Sequence, residues 1–197
     1  MKTIMISVKP RYAEQILNGK KTIEVRKFRL EPPFKVVNYV TKCGNDKLKN
    51  QLLRLEDTGE CVLCSTTDLS KYKLNGKVAF EYVVNKVDFL APRGIKDIAL
   101  YYSDKWLKKM LENACLSCDE AIAYQNNKSN LYGFHISGLK IYDKPKELRE
   151  FRTPKNCGEC SVSDCYYCDS KPITKPPQNY VYIEEIRCCQ SEVQMIN

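Results

Sequence analysis

The sequence predicts a mixed α+β domain, a small mixed β-barrel with short flanking helices. Three observations carry that reading. Five or six short segments show the alternation and β-branched content of strands, and a few helical stretches lie between them. Helix and strand do not alternate regularly enough for a doubly wound sheet. No glycine-rich phosphate loop is present. The 197 residues, 43% hydrophobic and 28% charged, suffice for one domain with its own core. The longest apolar runs, such as Val78-Ala79-Phe80, are too short for a membrane-spanning helix or the apolar segment of a secretory signal.

Thr3-Ile4-Met5-Ile6-Ser7-Val8 reads as the opening strand. Pro10 suits the first turn of a helix, since its fixed φ is helical and its missing N–H is not needed there. Tyr12, Ala13, Ile16 and Leu17 gather on one face of that helix, and Asn18-Gly19 supplies a left-handed stop. Residues 21–26 re-enter as a strand, in which period two sets Lys21, Ile23 and Val25 on one face and Thr22, Glu24 and Arg26 on the other. Pro32-Pro33 marks a turn before a strand over 34–41. Residues 43–73 are polar and loop-rich, with Cys61-Val62-Leu63-Cys64 as a short strand.

Asn75-Gly76 signals a turn ahead of a long strand over 77–89, ended by Pro92. Ser103 is placed to cap a helix with Trp106, Leu107, Met110, Leu111 and Ala114 on one stripe. Ser117 and Glu120 have capping-box spacing for a second helix ending near Tyr124. A strand follows over 131–142, then a short helix from Pro145 through Phe151. Residues 154–179 are rich in Cys, Pro and Lys, and 180–186 supply a closing strand.

Net charge is +8, and residues 1–30 carry eight basic side chains (Lys2, Lys9, Arg11, Lys20, Lys21, Arg26, Lys27, Arg29) against Glu14 and Glu24. A basic face of this kind favours anionic partners. Eleven cysteines, an odd number without an export signal, point to a reducing compartment, a microbial cytosol or that of a viral host, where paired cysteines bind metal more often than they form disulfides.

Gly19, Lys21, Glu24 and Arg26 fit the pattern Gly-x-Lys-x-x-Glu-x-Arg without gaps, inside a strand–helix–strand opening. In this the chain resembles the ASCH domains of the PUA-like superfamily. The strand with Phe134-His135-Ile136-Ser137, followed by Ile141-Tyr142-Asp143-Lys144-Pro145, is similar to the family's closing strand. Asn75-Gly76-Lys77-Val78 is similar to a central one. The likeness covers roughly residues 1–151, taken as the ASCH/PUA-like domain. Residues 152–179 form a zinc-binding knuckle, similar to an extension common in phage and prophage members, and 180–197 a closing strand and tail.

The resemblance implies recognition of RNA or a modified nucleotide in a basic pocket, with Lys9, Lys21, Glu24, Arg26 and Ser137 as its residues. Chemically, Lys21 offers a point charge for phosphate or an oxyanion, Glu24 accepts from an amino edge or acts as a base, and Arg26 presents a planar fork. Spacing alone favours a structural ion pair between Glu24 and Arg26 on a barrel wall; the resemblance turns the balance toward a pocket. Some family members are amidohydrolases acting on acylated cytidine, whose threonine nucleophile falls where this chain has Glu24. Carboxylate cannot replace hydroxyl in that role, which argues against the same chemistry here. Others cleave RNA through a lysine, a tyrosine and a serine, for which Tyr39, Lys42 and Ser137 are candidates.

An enzyme of either kind would use Lys21 and Glu24, with His135 as a third candidate. A lone histidine on a strand more often packs than catalyses, but His135 shares period-two parity with Ser137 and the two are expected on one wall. A third reading is a phage-encoded module that binds a host protein.

Cys157, Cys160, Cys165 and Cys168 form two Cys-x-x-Cys pairs separated by four residues. Four thiolates close a tetrahedral zinc site with no open position, so the expected metal is one structural Zn2+ in a compact knuckle. Cys61/Cys64, Cys115/Cys118, Cys43 and Cys188-Cys189 read as small buried residues.

Overall fold

The computed structural model describes residues 1–42, 74, 76–154 and 170–185. Strand β1 (Lys2–Val8) leads through Lys9 into helix α1 (Pro10–Leu17), followed by β2 (Ile23–Arg26), β3 (Phe34–Val40) and the long β4 (Val78–Ala91). Three helices follow, α2 (Ile98–Tyr101), α3 (Lys105–Asn113) and α4 (Cys118–Gln125). The chain continues through β5 (Leu131–Lys146), a single 3-10 turn (Leu148–Glu150), β6 (Phe151–Arg152), β7 (Val181–Tyr182) and β8 (Glu184–Glu185).

Six strands form one sheet in the order β2-β5-β4-β3-β1-β7, and β6 pairs with β8 in a second. Within the large sheet only β1 and β3 run parallel; the other neighbours are antiparallel. The sheet curls so that its β2 end approaches β1. Arg26 Nη2 donates to the carbonyl of Ser7 at 2.9 Å, and the rings of Phe28 and Tyr180 stand 4.5 Å apart. No ladder joins β2 to β7. The expected mixed barrel is thus present, with its last seam closed by side chains.

Both faces of the central strands are apolar because both are covered. Ile4, Ile6 and Val8 face the barrel interior with Val36, Phe80, Tyr82 and Phe134. Met5 and Val37 turn the other way, onto Phe151, Ile173 and Ile183. A third cluster seats the helices: Leu107, Met110 and Leu111 of α3 and Ala121 of α4 pack on Ile23, Val25, Leu90 and Leu131.

Several boundaries differ from those the sequence predicts. The α3 cap is Asp104, whose carboxylate accepts from Leu107 N at 2.8 Å, while Ser103 donates to Leu100 O. The predicted helix from Pro145 does not form: β5 continues through Pro145 to Lys146, pairing Lys146 with Val78, and only the 3-10 turn remains. A proline at a strand's end, where no ladder N–H is required, is compatible with that pairing. The predicted closing strand divides, β7 joining β1 and β8 joining β6. Asn75, the strand at Cys61–Cys64, Cys43, Cys188 and Cys189 lie outside the described residues, as do the four knuckle cysteines. Cys115 and Cys118 are half-buried rather than buried. No helix among the described residues is long and apolar enough to cross a membrane.

Candidate functional site

An eight-residue helix is marginal in water by itself, and α1 is held by burying Ala13, Ile16 and Leu17 against β1 and β3. Asn18 closes it, and Gly19 takes φ +70°, a left-handed conformation that glycine adopts without steric cost. The reversal brings Lys21 N to Gln15 O at 2.9 Å and Thr22 N to Asn113 O at 2.9 Å, anchoring the approach to β2 on two helices.

Glu24 and Arg26 share a face of β2, as period two requires. Lys21 does not follow the predicted parity, because the strand begins at Ile23 and Lys21 sits in the turn before it. It therefore swings onto the Glu24 side. Lys21 Nζ lies 3.4 Å from Glu24 Oε2, and Arg26 Nη2 lies 2.8 Å from Glu24 Oε1. Residues Lys21, Glu24 and Arg26 are only 3%, 6% and 8% exposed. Lys21 Nζ also donates to Ala114 O at 2.5 Å. Even so, Glu24 Oε2 accepts no hydrogen bond and Arg26 Nε donates none. Burial pushes the Tyr82 phenol well above the ordinary tyrosine range, with the neighbouring Glu24 charge adding to the rise and Arg26 opposing it.

The triad forms the floor of a cavity of about 360 Å³, the size of a small-molecule site. Its walls come from the end of β1 and the start of α1 (Ser7, Lys9, Arg11, Tyr12) and from α4 (Glu120, Ala123, Tyr124). Four cations line it against two carboxylates. Two cations meet the Tyr12 ring: Arg11 lies 4.4 Å and Lys21 Nζ 5.1 Å from its centroid. Burial raises the Tyr124 hydroxyl above its usual pKa, against the lowering influence of Arg26. At the mouth, Arg11 Nη2 meets Glu120 Oε1 at 2.6 Å.

Lys9 lies at the rim, exposed, with the triad below it. Ser137 is elsewhere: on β5 its hydroxyl donates to Val83 O at 2.8 Å and accepts from Asn85 at 3.2 Å. His135 is not in the cavity either. Its Nε2 meets Asp88 Oδ2 at 2.7 Å, and Lys86 meets the same oxygen at 3.0 Å. Burial raises the Asp88 carboxyl, but the hydrogen bonds from His135 and Lys86 outweigh it and hold its pKa below the usual value. Tyr39 and Lys42 line a separate cavity of about 470 Å³ with Glu147 and Thr174. Among the described residues, no three His, Cys, Asp or Glu side chains assemble in a metal-holding group.

No family sequence model and no curated protein matches the chain. Its three-dimensional arrangement does have counterparts. The crystal structure of ASCH from Zymomonas mobilis superposes with a TM-score of 0.50 at 14% identity, over 93% of this chain and 88% of that one. A serine-to-alanine mutant of the same protein superposes with a TM-score of 0.50 at 15% identity, over 93% and 89%. The chain has the ASCH fold.

Within the ASCH fold of this chain, Ser7, Arg11, Tyr12, Glu120 and Tyr124 belong to the cavity although sequence reasoning does not select them for it. Tyr12 counts in the sequence as an apolar position of α1. Glu120 counts as the partner of Ser117 in a capping box, which it is: Glu120 N donates to Ser117 Oγ at 3.1 Å and Ser117 N to Glu120 Oε2 at 3.0 Å. Its second oxygen reaches Arg11, 109 positions upstream, a contact that no local spacing encodes.

Proposed function

We propose that the cavity above Lys21, Glu24 and Arg26 binds RNA or a modified nucleotide. One observation carries this reading: a buried carboxylate and a buried guanidinium, paired with each other, line one open cavity together with Lys9, Arg11, Tyr12 and Tyr124. A carboxylate and a guanidinium lining one cavity supply the acceptor and donor chemistry that a base edge requires. Tyr12 and Tyr124 supply aromatic walls, which suit a stacked base. The resemblance to ASCH domains supports the same ligand class. Lys21 is already committed to Ala114 O and Glu24, which favours a charge that positions over one that shuttles protons, and hence binding over amidohydrolase or ribonuclease activity.

The test is anisotropy titration of a short single-stranded RNA, with product analysis of the same mixtures. Binding is expected at low salt, weakening about seven-fold between 50 and 200 mM salt if Lys9 and Arg11 are the two cations that meet phosphates. Filling the cavity with Ala123→Trp, at an exposed position, should abolish it. Failure to bind at low salt would rule out the reading and leave the host-protein module, and cleavage or deacylation would restore the enzyme.

We further propose that Cys157, Cys160, Cys165 and Cys168 hold one structural zinc ion. The described residues on either side support this. Thr153 N donates to Lys171 O at 2.9 Å, Lys171 N to Thr153 Oγ1 at 2.9 Å, and Ile173 N to Phe151 O at 2.8 Å. Residues 155–169 thus begin and end at one paired base, so much of the loop-closure entropy a metal knuckle must overcome is already met. Elemental analysis should find about one zinc per chain, lost in the Cys160→Ser/Cys165→Ser variant. A zinc-free preparation that folds normally would refute it.

A further inference from the structure

We propose that the cavity beside Tyr39, Lys42 and Arg149 is a second ligand site, built for a phosphate group. It is distinct from the cavity above Lys21, Glu24 and Arg26, and the inference does not require that cavity to bind anything. Such a group has two sources, a phosphodiester of an RNA strand and a free phosphate, which titration separates.

The cavity, of about 470 Å³, lies between the end of β3, the turn at Gly76, the 3-10 turn after β5 and residues 174–176. Tyr39 is 3% exposed, yet no described residue hydrogen-bonds its hydroxyl. A buried hydroxyl normally finds a partner, and this residue lines the cavity. Burial, and then the charge of Glu147, raise the Tyr39 phenol above its usual pKa, against the lowering influence of Lys77. The hydroxyl therefore stays protonated and able to donate.

Lys42 and Arg149 are exposed residues lining the same cavity, and neither pairs with a carboxylate among the described residues. The Lys42 stem crosses Gly76. A Cβ at Gly76 would stand 2.8 Å from Lys42 Cε and 2.9 Å from Cγ, and the residue itself takes φ +80°. Glycine thus permits both the turn and the crossing. A stem already laid down loses less rotamer freedom on meeting an anion. Arg149 adds a planar fork that suits phosphate. Glu147, the one carboxylate among the described lining residues, is paired with Lys77, so the two unpaired cations set the sign of the site.

Both cavities lie at the C-terminal ends of β1 and β3. Ser7 of the first and Tyr39 of the second are partners in the β1–β3 ladder, whose strands run about 4.8 Å apart. Ser7 Oγ donates to Pro177 O at 2.7 Å, and Pro176 lines the second cavity, so Pro176 and Pro177 form the divide. An RNA strand crossing that divide would meet four cations, Lys9, Arg11, Lys42 and Arg149.

The full chain is titrated with inorganic phosphate, followed by NMR, and with a short single-stranded RNA, followed by anisotropy. Lys42→Ala/Arg149→Ala, Tyr39→Phe and the first-cavity block Ala123→Trp are compared with it, each checked for folding by circular dichroism. If the group belongs to RNA, wild-type binding should weaken about fifty-fold between 50 and 200 mM salt, and the double variant only about seven-fold, the difference of two phosphate contacts. If it is free, phosphate should shift the Gly76 and Arg149 amides in the wild type and in Ala123→Trp alike, and bind the double variant about ten-fold or more weakly. In either case Tyr39→Phe should weaken binding several-fold. An absence of phosphate shifts, together with one salt dependence shared by wild type and double variant, overturns the second site and leaves the first cavity's reading untouched. A loss in the double variant without one in Tyr39→Phe also overturns it, since surface charge alone would suffice. Phosphate bound here while RNA fails at low salt refutes the reading of the first cavity and leaves this site standing.

Discussion

Replacing Glu24 with leucine is expected to lower the midpoint of thermal unfolding by roughly 6–20 °C. Among the described residues the carboxylate is the only anion paired with two buried cations, Lys21 at 3.4 Å and Arg26 at 2.8 Å. Removing one member of a buried ion group leaves its partners charged, desolvated and unopposed, which costs about 3–5 kcal/mol. For a domain of this size each kcal/mol moves the midpoint by roughly 2–4 °C. Lys21 keeps its bond to Ala114 O and Arg26 its bond to Ser7 O, so the cations stay in place rather than escaping to water. Glu24→Gln should cost less, since an amide oxygen still accepts from Arg26. A matched control is Glu31→Gln: its pair with Arg29 is 75% and 60% exposed, and the midpoint should move by no more than about 4 °C. A Glu24→Leu shift as small as that control would mean that water, not Glu24, compensates the two cations.

The elements that were legible in the sequence are those whose signals are local. Pro10 with Tyr12, Ala13, Ile16 and Leu17 specifies α1, and Asn18-Gly19 its end, because caps and one apolar face are properties of eight or ten neighbouring residues. The same holds for the capping box at Ser117. The junction from β5 into β6 was not legible. Pro145 carries a helix-start signal, but pairing of Lys146 with Val78 overrides it, and such pairing is a long-range fact. The site divides along the same line. Glu24 and Arg26 share a face by strand period, whereas Lys21 joins them only because the ladder to β5 starts at Ile23. Ser137 and His135 were misplaced for a related reason. Irregularities in the β4–β5 register around Val84 and Val87 bring Asn85 to Ser137 and Asp88 to His135, so parity along β5 alone does not tell which neighbours these side chains meet.

Converting the whole triad to apolar residues, Lys21→Met, Glu24→Leu and Arg26→Met together, should separate what the group does for folding from what it does for the ligand. The triple variant is expected to recover most of the stability lost in Glu24→Leu alone, while binding no RNA. Three buried charges are costly to desolvate, and their mutual attraction only partly offsets that cost; apolar side chains of similar size avoid it and fill the space. The carbonyls of Ser7 and Ala114 lose a donor each, which tempers the recovery by about 1–3 kcal/mol apiece where water cannot reach them. The three substitutions must therefore be strongly non-additive, the signature of groups acting as one unit. If the triple variant melts well below Glu24→Leu, the triad is a structural clasp between β2, the β1 end and α3, and its place under a cavity is incidental. If it is stable and still binds RNA with unchanged affinity, the ligand does not contact the floor. Stability regained together with binding lost is the outcome that a polar group kept for recognition, at the expense of the core, requires.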